Sequence, residues 1–120
     1  MSNPPCRLLL VDDDRDYAET MALLLARSGF RTAYATDGLA ALALARECHP
    51  QAMLVDLALP GLNGYQLLSA VRADASLRGA YMAAGSGWGP EEAARSLLAG
   101  FDAHFLQPCD HRGPAGGRGT

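Results

Sequence analysis

Two short apolar runs that each end in aspartate restrict the possible folds more than any other feature of this sequence. The first run, Leu8–Val11, is followed by aspartates at residues 12–14, and the second run ends at Asp56. A short apolar run is typical of a buried strand, and an acid at its carboxyl end lies at the crevice where open α/β sheets bind ligands. If the two strands are neighbours, the terminal acids Asp12, Asp13 and Asp56 lie close together.

A cluster of carboxylates is compatible with only a few types of binding site. The carboxylates raise each other's pKa unless a cation lies between them. Oxygen ligands at a solvent-open site suit Mg²⁺ or Mn²⁺, and Mg²⁺ typically binds one or two carboxylates and retains several waters. We therefore predict a Mg²⁺ (or Mn²⁺) site formed by Asp12, Asp13 and Asp56. A structural role is the alternative, because Asp14 and Asp16 are suited to the N-terminus of a helix and Asp56 to a turn.

Strand-like and helix-like segments alternate along the chain, which predicts a doubly wound α/β domain with helices covering a parallel sheet. We expect five strands in the order 2-1-3-4-5, at about residues 7–11, 30–35, 52–56, 80–84 and 103–106. The first helix ends at Ser28-Gly29, and the third has Tyr65 and Leu68 in its core-facing stripe. A glycine- and proline-rich segment follows strand five. We therefore predict one domain over residues 1–110, no fifth helix, and a disordered tail or linker stub over residues 111–120.

Composition limits the function further. The chain has 120 residues, a net charge of −3 and ten basic residues, all of them arginine. We therefore expect no basic face that binds nucleic acid. The absence of lysine also excludes reactions within this chain that require a lysine side chain. We expect no membrane span and no secretory leader. Cys6, Cys48 and Cys109 are an odd count without metal-ligand spacing, which predicts reduced thiols in a cytoplasmic protein.

Together these residues resemble the receiver domain of two-component response regulators, over roughly residues 6–110. The motifs stand in the family's order: paired acids after strand one, the run Asp-Leu-Ala-Leu-Pro-Gly-Leu-Asn-Gly at residues 56–64, and a strand-five segment that ends in Pro108. Residues 87–104 look most like receivers attached to hybrid sensor kinases.

The resemblance implies a flavodoxin-like fold and a bacterial, cytoplasmic signalling module rather than an enzyme, which at most catalyses its own phosphorylation and dephosphorylation. Asp56 would be the phosphoryl acceptor, attacking the phosphorus of a phosphohistidine on a histidine kinase or a phosphotransfer protein. Asp13, Asp56 and the backbone carbonyl of Ala58 would bind Mg²⁺ directly, and Asp12 would act through water. Such a metal supplies the positioning and charge stabilisation that phosphoryl transfer needs.

The chain departs from the family pattern at several places. Gln107 stands where the family has a lysine that reaches the phosphoryl group, and an uncharged amide makes weaker hydrogen bonds than a charged donor. The switch hydroxyl after strand four corresponds to Ser86, or to Gly85 if helix four is aligned without a gap. We favour Ser86, for which a cap or turn role is the structural alternative. His104 takes the position of an aromatic switch residue, with a half-buried strand histidine as the alternative.

The predicted loss of the fifth helix leaves apolar sheet surface bare, so we expect a homodimer or a partner protein to cover it. Two functions remain open. Intact Asp12, Asp13 and Asp56 favour a phosphoacceptor receiver, whereas Gln107 favours a degenerate receiver that acts only as a protein-interaction module. A phosphatase of the haloacid dehalogenase type is rejected, because Asp16 replaces a required Thr or Val and the chain has no lysine.

Overall fold

The computed structural model describes residues 7–59, 62–86 and 90–106. Five strands and four helices alternate along these parts of the chain, as predicted from the sequence. The strands are β1 (Leu8–Val11), β2 (Thr32–Ala35), β3 (Ala52–Asp56), β4 (Tyr81–Ser86) and β5 (Ala103–Leu106). The helices are α1 (Arg15–Arg27), α2 (Gly38–Cys48), α3 (Gly64–Ala73) and α4 (Pro90–Ala99).

All neighbouring strands are parallel and their order is β2-β1-β3-β4-β5, which confirms the predicted fold. β1 and β3 are adjacent, and Val11 pairs with Val55 in the register between them. The residues that follow these two strands therefore emerge at the same edge of the sheet. This register places Asp12 and Asp56 next to each other.

The direction of each crossover decides which helix covers which face. The connection through α1 runs from β1 toward one edge of the sheet, whereas the connections through α2, α3 and α4 run the other way. Because parallel crossovers are right-handed, these two directions place helices on opposite faces. Among the described elements, α1 therefore lies on one face by itself, where it packs against β1 and β2.

The main core lies between the sheet and helices α2 and α3. Alternate side chains of the central strands point toward these helices. Leu9, Met53 and Met82 are fully buried there, together with Leu67 and Val71 of α3. This packing holds the carboxyl ends of β1 and β3 in fixed positions, and those ends carry the clustered acids.

The ends of α1 are set by the residues that the sequence predicts. Asp14 is its N-cap, and the Asp14 carboxylate accepts a hydrogen bond from the N–H of Tyr17 at 3.1 Å. Ser28 is its C-cap, and Gly29 follows with a φ of 98°, a left-handed conformation that glycine adopts without strain. None of the described helices combines the length and the hydropathy needed to cross a membrane.

Several sequence predictions fall on residues that the structure does not describe. The segment 107–120, and with it the predicted tail and the predicted loss of a fifth helix, lies outside the described residues, as do Cys6 and Cys109. Cys48 is buried in α2, where its thiol contacts the Leu44 carbonyl oxygen at 3.1 Å.

Candidate functional site

Three aspartate side chains meet at the carboxyl edge of the sheet. One carboxylate oxygen each from Asp12, Asp13 and Asp56 lies within 4.8 Å of the other two. Asp12 and Asp56 are each 3% exposed, whereas Asp13 is exposed. The convergence predicted from the two strand ends is therefore confirmed.

Asp12 is fixed by hydrogen bonds of the backbone around it. Its N–H donates to the carbonyl oxygen of Ala35 at 3.1 Å, which continues the pairing of β1 with β2 by one residue. Its carboxylate accepts a hydrogen bond from the N–H of Asp14 at 2.9 Å. Since Asp14 is the N-cap of α1, the cap role predicted for it is confirmed, and Asp16 lies exposed in the first turn of that helix.

Asp56 is the last residue of the central strand β3. The Asp56 carboxylate accepts a hydrogen bond from the N–H of Ala58 at 3.0 Å. In the β3–β4 register, Asp56 pairs with Gly85. The N–H of Leu57 donates to the Gly85 carbonyl oxygen at 3.1 Å. Burial and these backbone contacts hold the Asp56 carboxylate in one position. Ala58 is exposed beside it, and metal binding by the Ala58 carbonyl stays a prediction.

The loop after Asp56 returns tightly to the same strand end. Asn63 and Gln66 form a capping box at the start of α3, in which each side chain accepts a hydrogen bond from the other's backbone N–H. A Cβ at Gly64 would lie 2.9 Å from the Leu57 Cα and 3.0 Å from the Asp56 carbonyl oxygen. Only glycine fits at this contact, which explains the glycine at the end of the 56–64 motif.

The donor set fits a small hard divalent cation. Mg²⁺ binds oxygen at about 2.0–2.1 Å, so two oxygens on one ion lie at most about 4.2 Å apart. The oxygens of Asp12, Asp13 and Asp56 are already within 4.8 Å of one another, so small side-chain movements would bring them to that spacing. Without a cation, carboxylates at these distances repel one another.

Of the three remaining sequence-predicted residues, Ser86 is described only in its backbone, Gln107 is not described and His104 is described. Ser86 ends β4, where it pairs with Leu106 of β5, but its hydroxyl is not among the described atoms, and Gln107 lies outside the described residues. His104 lies half-buried in β5 beside Ala84. Its Nε2 atom is buried and has no hydrogen-bond partner among the described residues. The switch roles of Ser86 and His104 stay predictions.

The structure also contains a polar contact that sequence reasoning missed. Tyr65, predicted as a core residue of the third helix, is half-buried and donates a hydrogen bond from its hydroxyl to the Glu92 carboxylate in α4. Both residues fit an ordinary helical pattern, so the pattern gives no sign of the bond. A half-buried tyrosine whose hydroxyl needs a partner is the one signal that suggests such a contact.

The fold and the site together define a class of protein. A doubly wound sheet with acids at the ends of its first and third strands is the arrangement that the sequence resemblance to receiver domains implies. A model of the response regulator receiver domain matches residues 8–112, and the chain belongs to this family. It is a receiver domain of the two-component signalling type. Receiver domains are signalling modules rather than classical enzymes, bind Mg²⁺ through acidic residues and interact with histidine kinases or phosphotransfer proteins.

Curated relatives are longer proteins that contain such a domain. The DNA-binding response regulator MtrA of Mycobacterium tuberculosis (strain H37Rv) is 44% identical over 71 residues, which are 59% of this chain and 31% of MtrA. The transcriptional regulatory protein PrrA of Mycobacterium bovis is 35% identical over 103 residues, which are 85% of this chain and 43% of PrrA. The chain thus spans less than half the length of either relative.

Solved structures support the same fold. The chemotaxis protein CheY4 of Vibrio cholerae superposes with a TM-score of 0.79 at 21% identity, covering 88% of this chain and 89% of CheY4. A response regulator from Chloroflexus aurantiacus superposes with a TM-score of 0.78 at 28% identity, covering 88% of each chain.

Proposed function

We propose that this domain accepts a phosphoryl group on Asp56 from a phosphohistidine of a histidine kinase or a phosphotransfer protein. The observation that carries the proposal is the convergence of Asp12, Asp13 and Asp56 within 4.8 Å at the carboxyl edge of the sheet. No described residue and no comparison favours the alternative of a degenerate receiver.

The chemistry assigns separate tasks to the three acids. An Asp56 carboxylate oxygen attacks the phosphorus, the phosphorus–nitrogen bond of the phosphohistidine breaks, and an acyl phosphate forms on Asp56. The departing imidazole nitrogen keeps the electron pair of the broken bond and takes up a proton. Asp13, Asp56 and the backbone carbonyl of Ala58 would hold Mg²⁺ (or Mn²⁺) directly and Asp12 would act through water; the metal would supply neutralisation of charge on the phosphoryl oxygens. The Ala58 N–H fixes the orientation of the acceptor carboxylate through its 3.0 Å hydrogen bond.

The proposal also covers what the domain catalyses and which further residues contact the phosphoryl group. The domain catalyses at most its own phosphorylation and dephosphorylation. Ser86 and Gln107 contact the phosphoryl group in the positions where the family has its switch hydroxyl and its lysine. The cytoplasmic location predicted from the sequence stays a prediction.

Incubation with acetyl phosphate and Mg²⁺ tests the proposal directly. Intact-mass measurement should show the addition of one phosphoryl group to the wild type and none to Asp56→Asn. Asp16→Asn is the matched control, because Asp16 is an exposed aspartate of α1 outside the cluster, and it should be labelled like the wild type. A wild type that gains no mass contradicts the proposal and supports the degenerate alternative. An Asp56→Asn variant that gains the mass equally also contradicts the proposal, because another residue is then the acceptor.

A further inference from the structure

Helix α3 begins in direct contact with the strand end that carries Asp56. The missing Cβ of Gly64 lets the first turn of α3 lie against the backbone of Asp56 and Leu57. The contact at Gly64 leaves no gap that could absorb a displacement of that backbone. Any shift at Asp56 is therefore passed to the start of α3.

The next residue, Tyr65, connects this turn to α4. Its hydroxyl donates to Glu92, and its ring meets the ring of buried Phe101 edge-on, with the centroids 6.1 Å apart and the planes at 74°. Burial raises the pKa of Tyr65 to about 12, and the hydrogen bond to Glu92 and the nearby carboxylate charge act in the same direction. The hydroxyl thus keeps its proton, and its role as donor, at neutral pH.

Glu92 is well placed to transmit movement to the whole of α4. It lies in the first turn of that helix, and its second carboxylate oxygen is 3.8 Å from the guanidinium of Arg95 one turn further on. Among residues 62–73 and 90–99, the Tyr65–Glu92 bond is the one hydrogen bond that joins a side chain of α3 to a side chain of α4. This pair is therefore a direct side-chain link between α3 and α4, in addition to the packing of α4 against β4 and β5.

We infer that the Tyr65–Glu92 hydrogen bond couples the state of Asp56 to the position of α4, and that Tyr65 acts as a positioning residue in the phospho-switch. The inference rests on the proposed phosphorylation of Asp56. Conversion of the Asp56 carboxylate to an acyl phosphate adds about one net negative charge and three phosphoryl oxygens at a cluster that is already acidic. The backbone at Asp56 adjusts, Gly64 moves with it, and Tyr65 carries the movement to Glu92. This route runs along α3 and is distinct from one through Ser86 and His104.

Removal of the Tyr65–Glu92 hydrogen bond has different effects on α4 depending on whether the bond only stabilises the fold or also couples the two sites. If Tyr65–Glu92 only holds α4 in place, its loss loosens α4 equally with and without a group on Asp56. If the bond couples the two sites, its loss reduces the difference between those two states. The experiment must therefore measure α4 in both states.

Hydrogen exchange of the α4 peptide, measured by mass spectrometry on the full chain, provides this comparison. Beryllofluoride with Mg²⁺ serves as the phosphoryl mimic, and its binding is followed separately by titration. Tyr65→Phe removes the hydroxyl and keeps the ring that meets Phe101, and Glu92→Gln is a second variant that weakens the same bond. Tyr34→Phe is the matched control, since the Tyr34 hydroxyl bonds to Glu19 of α1, remote from α3 and α4.

We expect the mimic to change α4 exchange in the wild type and in Tyr34→Phe, and to produce less than half of that change in Tyr65→Phe and Glu92→Gln although both variants still bind it. An undiminished α4 response in mimic-bound Tyr65→Phe and Glu92→Gln overturns the inference and leaves the proposed function intact. A wild type that does not bind the mimic through Asp56 overturns both.

Discussion

The three clustered aspartates differ in how they meet solvent, and this difference governs their energetics. Asp12 and Asp56 are buried, whereas Asp13 is exposed, so Asp13 is the acid of the cluster that is open to solvent. A buried carboxylate is costly to keep charged unless it is paired, and the backbone N–H groups of Asp14 and Ala58 supply part of that pairing. The remaining repulsion is what a divalent cation relieves.

The first prediction concerns metal binding at this cluster. We expect Mg²⁺ to bind in the millimolar range and to raise the melting temperature of the wild type. A tenfold excess over the Kd stabilises a protein by about 1.4 kcal/mol, which is about 6 °C for a domain of this size. The shift should vanish in the double variant Asp13→Asn with Asp56→Asn. Differential scanning calorimetry with and without Mg²⁺ measures it.

Asp16→Asn is again the control for general charge effects, and it should keep the full Mg²⁺ shift. An unchanged shift in the double variant would mean that the metal stabilises the protein from another site.

The second prediction concerns Gln107, which replaces the lysine of the family. A neutral amide makes hydrogen bonds about half as strong as those of a charged donor, so the phosphoryl group on Asp56 is less well stabilised. Gln107→Lys should therefore lengthen the lifetime of the phosphorylated state, measured as the decay of the intact-mass signal after acetyl phosphate is removed. Gln107→Met, which has a similar size and no amide, should shorten it. Equal lifetimes in all three proteins would mean that residue 107 does not contact the phosphoryl group.

The third prediction concerns the close contact at Gly64. Gly64→Ala places a Cβ 2.9 Å from the Leu57 Cα, so the backbone must shift. Overpacking of this kind costs about 1–3 kcal/mol. Urea unfolding should show the loss as a lower midpoint, and phosphorylation by acetyl phosphate should slow because the same shift displaces Asp56. Gly79→Ala is the control, since nothing lies within 4 Å of a Cβ there; equal midpoints for the two variants would contradict the steric argument.

At the scale of elements, one arginine joins the C-terminal end of α3 to the sheet. The Arg72 guanidinium donates to the carbonyl oxygens of Arg78 and Ala80 at 2.7 and 2.9 Å and to the Asp102 carboxylate at 2.9 Å. The same Asp102 oxygen accepts the N–H of Met82 at 2.8 Å. This group therefore connects α3, the loop before β4, and the segment that leads into β5.

The fourth prediction follows from this arrangement. Arg72→Met removes a charged donor and leaves carbonyl oxygens and a carboxylate without it, which costs about 2 kcal/mol. Urea unfolding should show a correspondingly lower midpoint. Arg78→Met is the matched control, because the Arg78 side chain is exposed and has no ion pair among the described residues. The prediction is wrong if both variants unfold at the same urea concentration.

Elements whose signals are local could be predicted well from the sequence. The α1 caps at Asp14 and Ser28 depend on nearby residues only, and both were found where expected. The start of β2 was placed too early, at residue 30. The N–H of Phe30 donates to the Leu25 carbonyl oxygen at 3.0 Å, so the backbone of Phe30 closes the C-terminal end of α1 after the Ser28 cap, and β2 begins at Thr32. The alternation of apolar side chains does not show that the residues after a helix are hydrogen-bonded to its last turn.

At the scale of the whole molecule, the site was predictable where topology alone determines it. Parallel strands end at one edge, so the meeting of Asp13 with Asp56 follows from the strand order. The contacts of Tyr65 with Glu92 and of Arg72 with Asp102 were not predictable. They join residues about thirty positions apart and depend on how α3 and α4 are spaced, which only the packing of side chains decides.

Within the described part of the chain, α1 is the one helix on its face of the sheet, so the described elements cover this face unevenly. On the face opposite α4, Tyr81 of β4 is 52% exposed and Phe105 of β5 is 55% exposed. Phe105 lies beside Gly85 in the parallel register, and Gly85 shares its face with Tyr81 because strand side chains alternate. α1 packs against β1 and β2 on this face. The aromatic side chains of β4 and β5 thus form an exposed apolar surface.

The fifth prediction is that a second copy of the chain covers this surface. A two-fold interface needs only one self-complementary patch, and burying apolar area contributes about 25 cal/mol per Å². Sedimentation velocity at micromolar concentration should show a dimer for the wild type and a monomer for Tyr81→Asp with Phe105→Asp. Leu98→Asp on α4 is the control, since Leu98 is 89% exposed on the opposite face, and it should remain dimeric. If Leu98→Asp alone dissociates the dimer, the interface lies on α4. A monomeric wild type that binds no apolar dye would mean that the chain itself covers this face. A monomeric wild type that binds such a dye would mean that a different partner protein covers it.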